Sequence, residues 1–136
     1  MPVAMLAFML AAVPVEAKHG RSSDVLPAGA TFSSPALVVD LEGCTKLSLW
    51  NNNIGDSGAV ALAEALKSNA AVTVLYLGTN SIGDSGAVAI AGALKSNTAL
   101  TALWLDSNNI GGSGAAALAE GLNNNAAITS LRLGYN

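Results

Sequence analysis

The chain has 136 residues, 51% of them hydrophobic, 11% charged and 4% aromatic, with a formal net charge of -3; this is the size of one ordinary domain. Six Lys and Arg in an acidic chain do not supply the basic surface that nucleic-acid phosphates require, and one cysteine with one histidine, Cys44 and His19, forms neither an internal disulfide nor a Cys/His zinc site. No run reaches the ~18 apolar residues of a membrane span, so no transmembrane segment is expected and the hydrophobicity must be hidden by folding or assembly.

The first segment differs in composition from everything after it. All three Met, all four Pro, both Phe and the only His fall before Ala36. An apolar run from Val3 to Val13 precedes Pro14-Val15-Glu16-Ala17 and a polar stretch that begins at Lys18. Its length suits the core of a secretory signal, and Val15 and Ala17 are small enough for the positions before a cleavage at Lys18. The basic residues that usually precede such a core are missing, so residues 1–17 read as either a signal peptide or a disordered leader. Residues 18–33, punctuated by Gly20, Pro27 and Gly29 and lacking apolar periodicity, read as a linker. Ser34-Pro35 then has the form of a helix start, with Ser34 as N-cap and Pro35 in the first helical position.

From residue 47 the chain repeats itself every 28 residues. Leu47-Ser48-Leu49-Trp50-Asn51-Asn52-Asn53-Ile54-Gly55-Asp56-Ser57-Gly58-Ala59 aligns with the stretches beginning at Leu75 and Leu103, and Leu131 to Asn136 opens a fourth copy. Within a unit, Leu47 and Leu49 flank one outward residue, the period-two pattern of a short strand. Gly58, Leu62 and Leu66 then recur at steps of four, the inward stripe of a helix of about three turns. Asp56 or Ser57 is the expected N-cap of that helix, and Asn69 and Asn97 sit where a left-handed C-cap residue is expected. A strand and a helix cannot bury both their apolar sides alone, so neighbouring units must stack around one continuous core. The expected domain is residues 34–136: a degenerate first repeat at 34–46, repeats at 47–74, 75–102 and 103–130, and a partial one at 131–136.

The series Cys44/Val72/Leu100/Ile128, Leu47/75/103/131, Leu49/77/105/133 and Asn52/80/108/136, followed by Ile54/82/110, resembles the leucine-rich-repeat pattern. The 28-residue length and the Ile-Gly-Asp-Ser-Gly-Ala helix start are similar to the ribonuclease-inhibitor-like subfamily, as in NOD-like receptors. The resemblance covers Cys44 to Asn136. It implies an α/β fold, a right-handed solenoid with a parallel sheet on its concave face and helices on its convex face. It also implies that Asn52, Asn80 and Asn108 bond backbone at the turns and form a ladder between repeats; whether Asn136, at the end of the sequence, finds a partner is left open. Cys44 takes the first apolar position of its unit, as a small buried hydrophobe. The resemblance points to an intracellular protein, whereas a leader cut before Lys18 points to secretion.

Catalysis is not expected. Gly55-Asp56-Ser57-Gly58 and its copy at Gly83 resemble the stretch around a serine-protease nucleophile, but that chemistry needs a histidine beside the serine. The only histidine is His19, in the leader, and the helix start accounts for the Gly, Asp and Ser. No phosphate-cradling glycine motif occurs, and no cofactor or metal is implied. The four aromatics of the repeats are placed differently: Trp50, Tyr76, Trp104 and Tyr135 all lie in variable slots beside the strand leucines, none in the core. Tyr76 and Trp104 share a slot in consecutive repeats, ~5 Å apart. With Asp106 and Arg132 they form the expected binding face for a protein or peptide, because exposed aromatics with polar tips are common interface anchors. Two other uses stay open: regulation of an enzyme, of the GTPase-activating or inhibitor type, and self-assembly. The last strand, Leu131 and Leu133, has no following helix in the sequence, which is expected either of a fragment of a longer repeat array or of a chain that self-associates through that end.

Overall fold

The computed structural model describes residues 45–136. The signal or leader, the linker and nearly all of the degenerate repeat, with His19 and Cys44, lie outside the described residues. The period of 28 is carried into space by strict alternation: β1 (Lys46–Ser48), α1 (Gly55–Ser68), β2 (Val74–Tyr76), α2 (Asp84–Leu94), β3 (Ala102–Trp104), α3 (Gly112–Leu122) and β4 (Ser130–Arg132). The four strands form one parallel sheet in chain order. Its register equals the repeat, so Leu47, Leu75, Leu103 and Leu131 are direct neighbours across the sheet. α1 packs on α2, and α2 on α3.

The core lies between sheet and helices. Leu47, Leu49, Leu75, Leu77, Leu103 and Leu105 enter it from the strands, Leu62, Leu66, Ile90, Leu94 and Leu118 from the helices, and Ile54, Ile82 and Ile110 close the turn. Each fully buried leucine of this kind contributes about 1.5–3 kcal/mol. Alanines surround the helix stripe because helices of adjacent repeats must approach closely. At Gly121 the approach is to backbone, and a β-carbon there would fall 2.6 Å from the Ala91 carbonyl oxygen. α3, with a helix on only one side among the described residues, buries only Gly114, Leu118 and Gly121.

Asparagines hold the turn that follows each strand. Asn80, fully buried, accepts at Oδ1 from the backbone N–H groups of Asn52 (2.8 Å) and Ile54 (3.3 Å). Its Nδ2 donates to the carbonyls of Leu49, Leu77 and Gly78. Asn108 repeats the pattern one unit on, toward Asn80, Ile82, Leu77 and Leu105. Asn136, left open by the sequence, bonds backward to Ile110 N–H at 3.1 Å and to the Leu105 carbonyl at 2.9 Å.

The helix ends differ from the expectation in two ways. Asn69 is extended, at φ -87°, and Asn97 is not among the residues with positive φ, so neither is a left-handed cap. Their side chains instead form a second ladder. Asn97 Oδ1 accepts from Ala99 and Leu100 N–H, while its Nδ2 reaches back to the carbonyls of Leu66 and Asn69; Asn125 does the same against Leu94 and Asn97. Asn suits this place because one short side chain must accept twice within its own turn and donate twice to the previous repeat, and an amide carries an acceptor oxygen and two N–H donors.

The second correction concerns the N-caps. No side-chain hydrogen bond caps any of the three helices from its own first turn. Asp56 caps the helix of the next repeat: its Oδ1 accepts from Gly83 and Gly86 N–H, both at 2.8 Å, at the start of α2. Asp84 does the same to Gly111 and Gly114 at the start of α3, at 2.8 and 2.9 Å. The recurring glycine makes room for it, since a β-carbon at Gly86 would fall 2.7 Å from Asp56 Oδ1. The backbone N–H of Gly111, then the Ser113 hydroxyl and Gly114 N–H, hold the Asp84 carboxyl below its ordinary range.

Candidate functional site

The face of the sheet turned away from the helices carries the residues that differ between repeats. In strand register, Ser48, Tyr76, Trp104 and Arg132 stand side by side. Two residues further on, each repeat places Trp50, Gly78, Asp106 or Gly134 on the same face. The next position, Asn51, Thr79, Ser107 and Tyr135, has φ between 54° and 57° in all four repeats. That left-handed residue turns the chain from the strand toward the asparagine ladder.

Trp50, Tyr76, Trp104, Asp106, Arg132 and Tyr135, the six residues picked out in the sequence, gather around one cleft of about 500 Å³. Ser48, Gly78 and Ser107 complete its lining. The volume lies in the range of sites that hold a small ligand or a few side chains of a partner. Tyr76 meets Trp104 edge to face, with ring centroids 4.6 Å apart and planes at 90°, the arrangement that ring quadrupoles favour. Arg132, the register neighbour of Trp104 on the side away from Tyr76, lies over that indole: its Cζ is 4.5 Å from the Trp104 ring centroid, and its Nε is 3.3 Å from Asp106 Oδ2. Asp106 Oδ1 accepts from Gly134 N–H at 3.1 Å. The indole Nε1 of Trp104 is shielded from solvent and has no hydrogen-bond partner among the described residues.

Trp50 is half exposed and Tyr135 93% exposed, the two largest exposed apolar surfaces of this face. Trp50 leans across the next repeat, where Gly78 is its floor: a β-carbon there would fall 2.7 Å from Trp50 Cδ1. Neither Gly78 nor the Gly134 N–H on Asp106 stood out in the sequence. The signal was present, however, in the alternation of Trp50, Gly78, Asp106 and Gly134 in one slot, large or charged beside small.

Among the described residues, the side-chain carboxylates outside the cleft are absorbed by structure. Asp56 and Asp84 cap helices, Glu64 pairs with Lys67 at 2.9 Å and Glu120 with Lys95 at 3.1 Å. The Lys67 hydrogen bond and charge lower the Glu64 carboxyl below its usual range. Among the described residues no three His, Cys, Asp or Glu cluster in a way that could hold a metal ion. No described helix is long and apolar enough to cross a membrane.

The Leucine Rich repeat family matches residues 45–63, 68–91 and 96–119. Among solved structures, leiomodin-1 actin-binding site 2 is similar, with a TM-score of 0.69 and 33% sequence identity over 74% of this chain. The match covers 58% of that structure's chain, so this chain spans somewhat more than half its length. No curated protein matches this sequence.

Proposed function

This chain belongs to the leucine-rich-repeat family and is a protein-interaction module; from that premise we propose that it binds a protein or peptide, without catalysis, on the open concave face of its sheet. The observation that carries the reading is the convergence of Trp50, Tyr76, Trp104, Asp106, Arg132 and Tyr135 on one cleft. Aromatic rings give large contact areas with few rotatable bonds, and Arg adds directional donors, the composition that dominates interface energetics. The 28-residue repeat length and the Ile-Gly-Asp-Ser-Gly-Ala helix start support assigning the repeats to the ribonuclease-inhibitor-like subfamily.

Because leiomodin-1 actin-binding site 2 is similar in structure, actin is the first partner to assay. Immobilised wild-type chain is expected to retain its partner, and the double variant Tyr76→Ala/Trp104→Ala to lose it while its circular-dichroism melt changes little. Unchanged capture by the variant contradicts this assignment of the face. Two rival uses of the same face are separable. Regulation of an enzyme in trans, with Arg132 as the presented group, predicts a change in turnover on adding the protein. Self-assembly predicts a mass that rises with concentration in light scattering.

A further inference from the structure

Arg132 is more constrained than an exposed arginine needs to be. Its guanidinium is stacked on Trp104 on one side and paired through Nε with Asp106 on another, yet the side chain is 54% exposed. The ion pair to Asp106 is made through Nε, and among the described residues no hydrogen bond engages the two Nη groups. A guanidinium offers five N–H donors in a rigid plane; with the Nε edge held by Asp106, the terminal pair of Nη groups is the fork that remains. That fork matches the two oxygens of a carboxylate. The stacking and the ion pair have already removed most of the rotamer freedom that an arginine loses on binding, so little further ordering is required.

We propose that Arg132 is a preorganised receptor for a partner carboxylate, and that the partner docks an Asp or Glu side chain there with an apolar neighbour against Trp50 and Tyr76. The inference rests on the reading of this face as the binding surface. Charge complementarity selects an anion over a cation. Asp106 is the acidic residue of the cleft, and both its oxygens are committed, to Arg132 and to Gly134 N–H. The Trp104 face that would attract a cation already carries Arg132. A partner lysine or arginine would meet a like charge with no free carboxylate. An acidic side chain meets the open fork, and the half-exposed indole of Trp50 takes the apolar residue beside it.

The test titrates the full chain with the blocked peptides acetyl-Leu-Glu-Leu-amide and acetyl-Leu-Gln-Leu-amide, reading indole fluorescence and the Arg132 Nε–H resonance. The Glu peptide is expected to bind about tenfold tighter than the Gln peptide, with weaker binding at high salt, and to shift the Arg132 resonance. Arg132→Gln should abolish the discrimination, and Arg132→Lys, which keeps the charge without the fork, should retain only part of it. Equal binding of the two peptides overturns the carboxylate receptor while leaving the cleft as a peptide site. An absence of any response to either peptide overturns both.

Discussion

On the rims of this solenoid the same residue recurs from unit to unit, with Gly112 the one break in the aspartate series, whereas on the open face of the sheet the corresponding places change with every repeat. Asn52, Asn80, Asn108 and Asn136 occupy one rim position, Asn69, Asn97 and Asn125 another, and Asp56 and Asp84 a third. On the open face the equivalent residues are Ser48, Tyr76, Trp104 and Arg132. The rim residues face backbone groups that are identical in every repeat, so one side chain answers all of them. The open face meets no such constraint from within the chain, and its variety is free to match something outside it. Periodicity therefore marks what holds the fold, and departure from it marks what recognises.

That contrast can be broken first at Asn80. Its amide makes five hydrogen bonds in a fully buried place, so Asn80→Ala strands several buried donors and acceptors and should cost about 3 kcal/mol or more, measured by urea unfolding. Gly121→Ala comes next. Its methyl would be driven into the Ala91 carbonyl, which is backbone and cannot rotate away, for a loss of about 2 kcal/mol. Asp56→Ala removes the cap that the first described repeat supplies to α2 and should cost about 1 kcal/mol; a hydrogen-exchange experiment should place the loss at the start of α2, not of α1.

The pH dependence of the next cap has a defined sign. Folding lowers the Asp84 carboxyl, so its contribution is fully present above the ordinary aspartate value, near pH 4, and fades as pH falls through the lowered value. Thermal melts in that acidic window should therefore fall less steeply for Asp84→Asn than for wild type. The smallest effect on stability is expected on the open face. Tyr76→Ala/Trp104→Ala forfeits one edge-to-face ring pair and the Arg132 guanidinium seated on Trp104, each about 1 kcal/mol or less beyond the area it buries.

Much of the fold was legible because the repeat is written in leucines at fixed offsets, and a cross-strand neighbour is simply the residue 28 positions on. The aromatic slots were legible for the same reason: a residue that breaks the period beside two strand leucines must point away from the core. The caps were not. Asp56 stands in the first turn of its own helix, where a local cap is expected, and only stacking brings it to Gly83 and Gly86 of the next. Asn69 Oδ1 accepts within the turn that follows it, and only its backbone carbonyl, which accepts from Asn97 Nδ2, is met from the next unit. Contacts between repeats have no local signature, whereas the glycine that accommodates each aspartate does, 30 residues downstream. The seating of Arg132 on Trp104 could not be read either, because rotamer choice decides it and the sequence supplies only adjacency.

The measurement that tests the contrast most directly is partner capture by two double variants beside wild type, one on each face, with the melt of each recorded. Tyr76→Ala/Trp104→Ala alters the open face, and Val60→Ser/Val88→Ser alters the two exposed valines of the helical side. The account predicts that the first loses capture and keeps its melt, while the second keeps both. Capture retained by the first variant, or lost by a folded second variant, would contradict it.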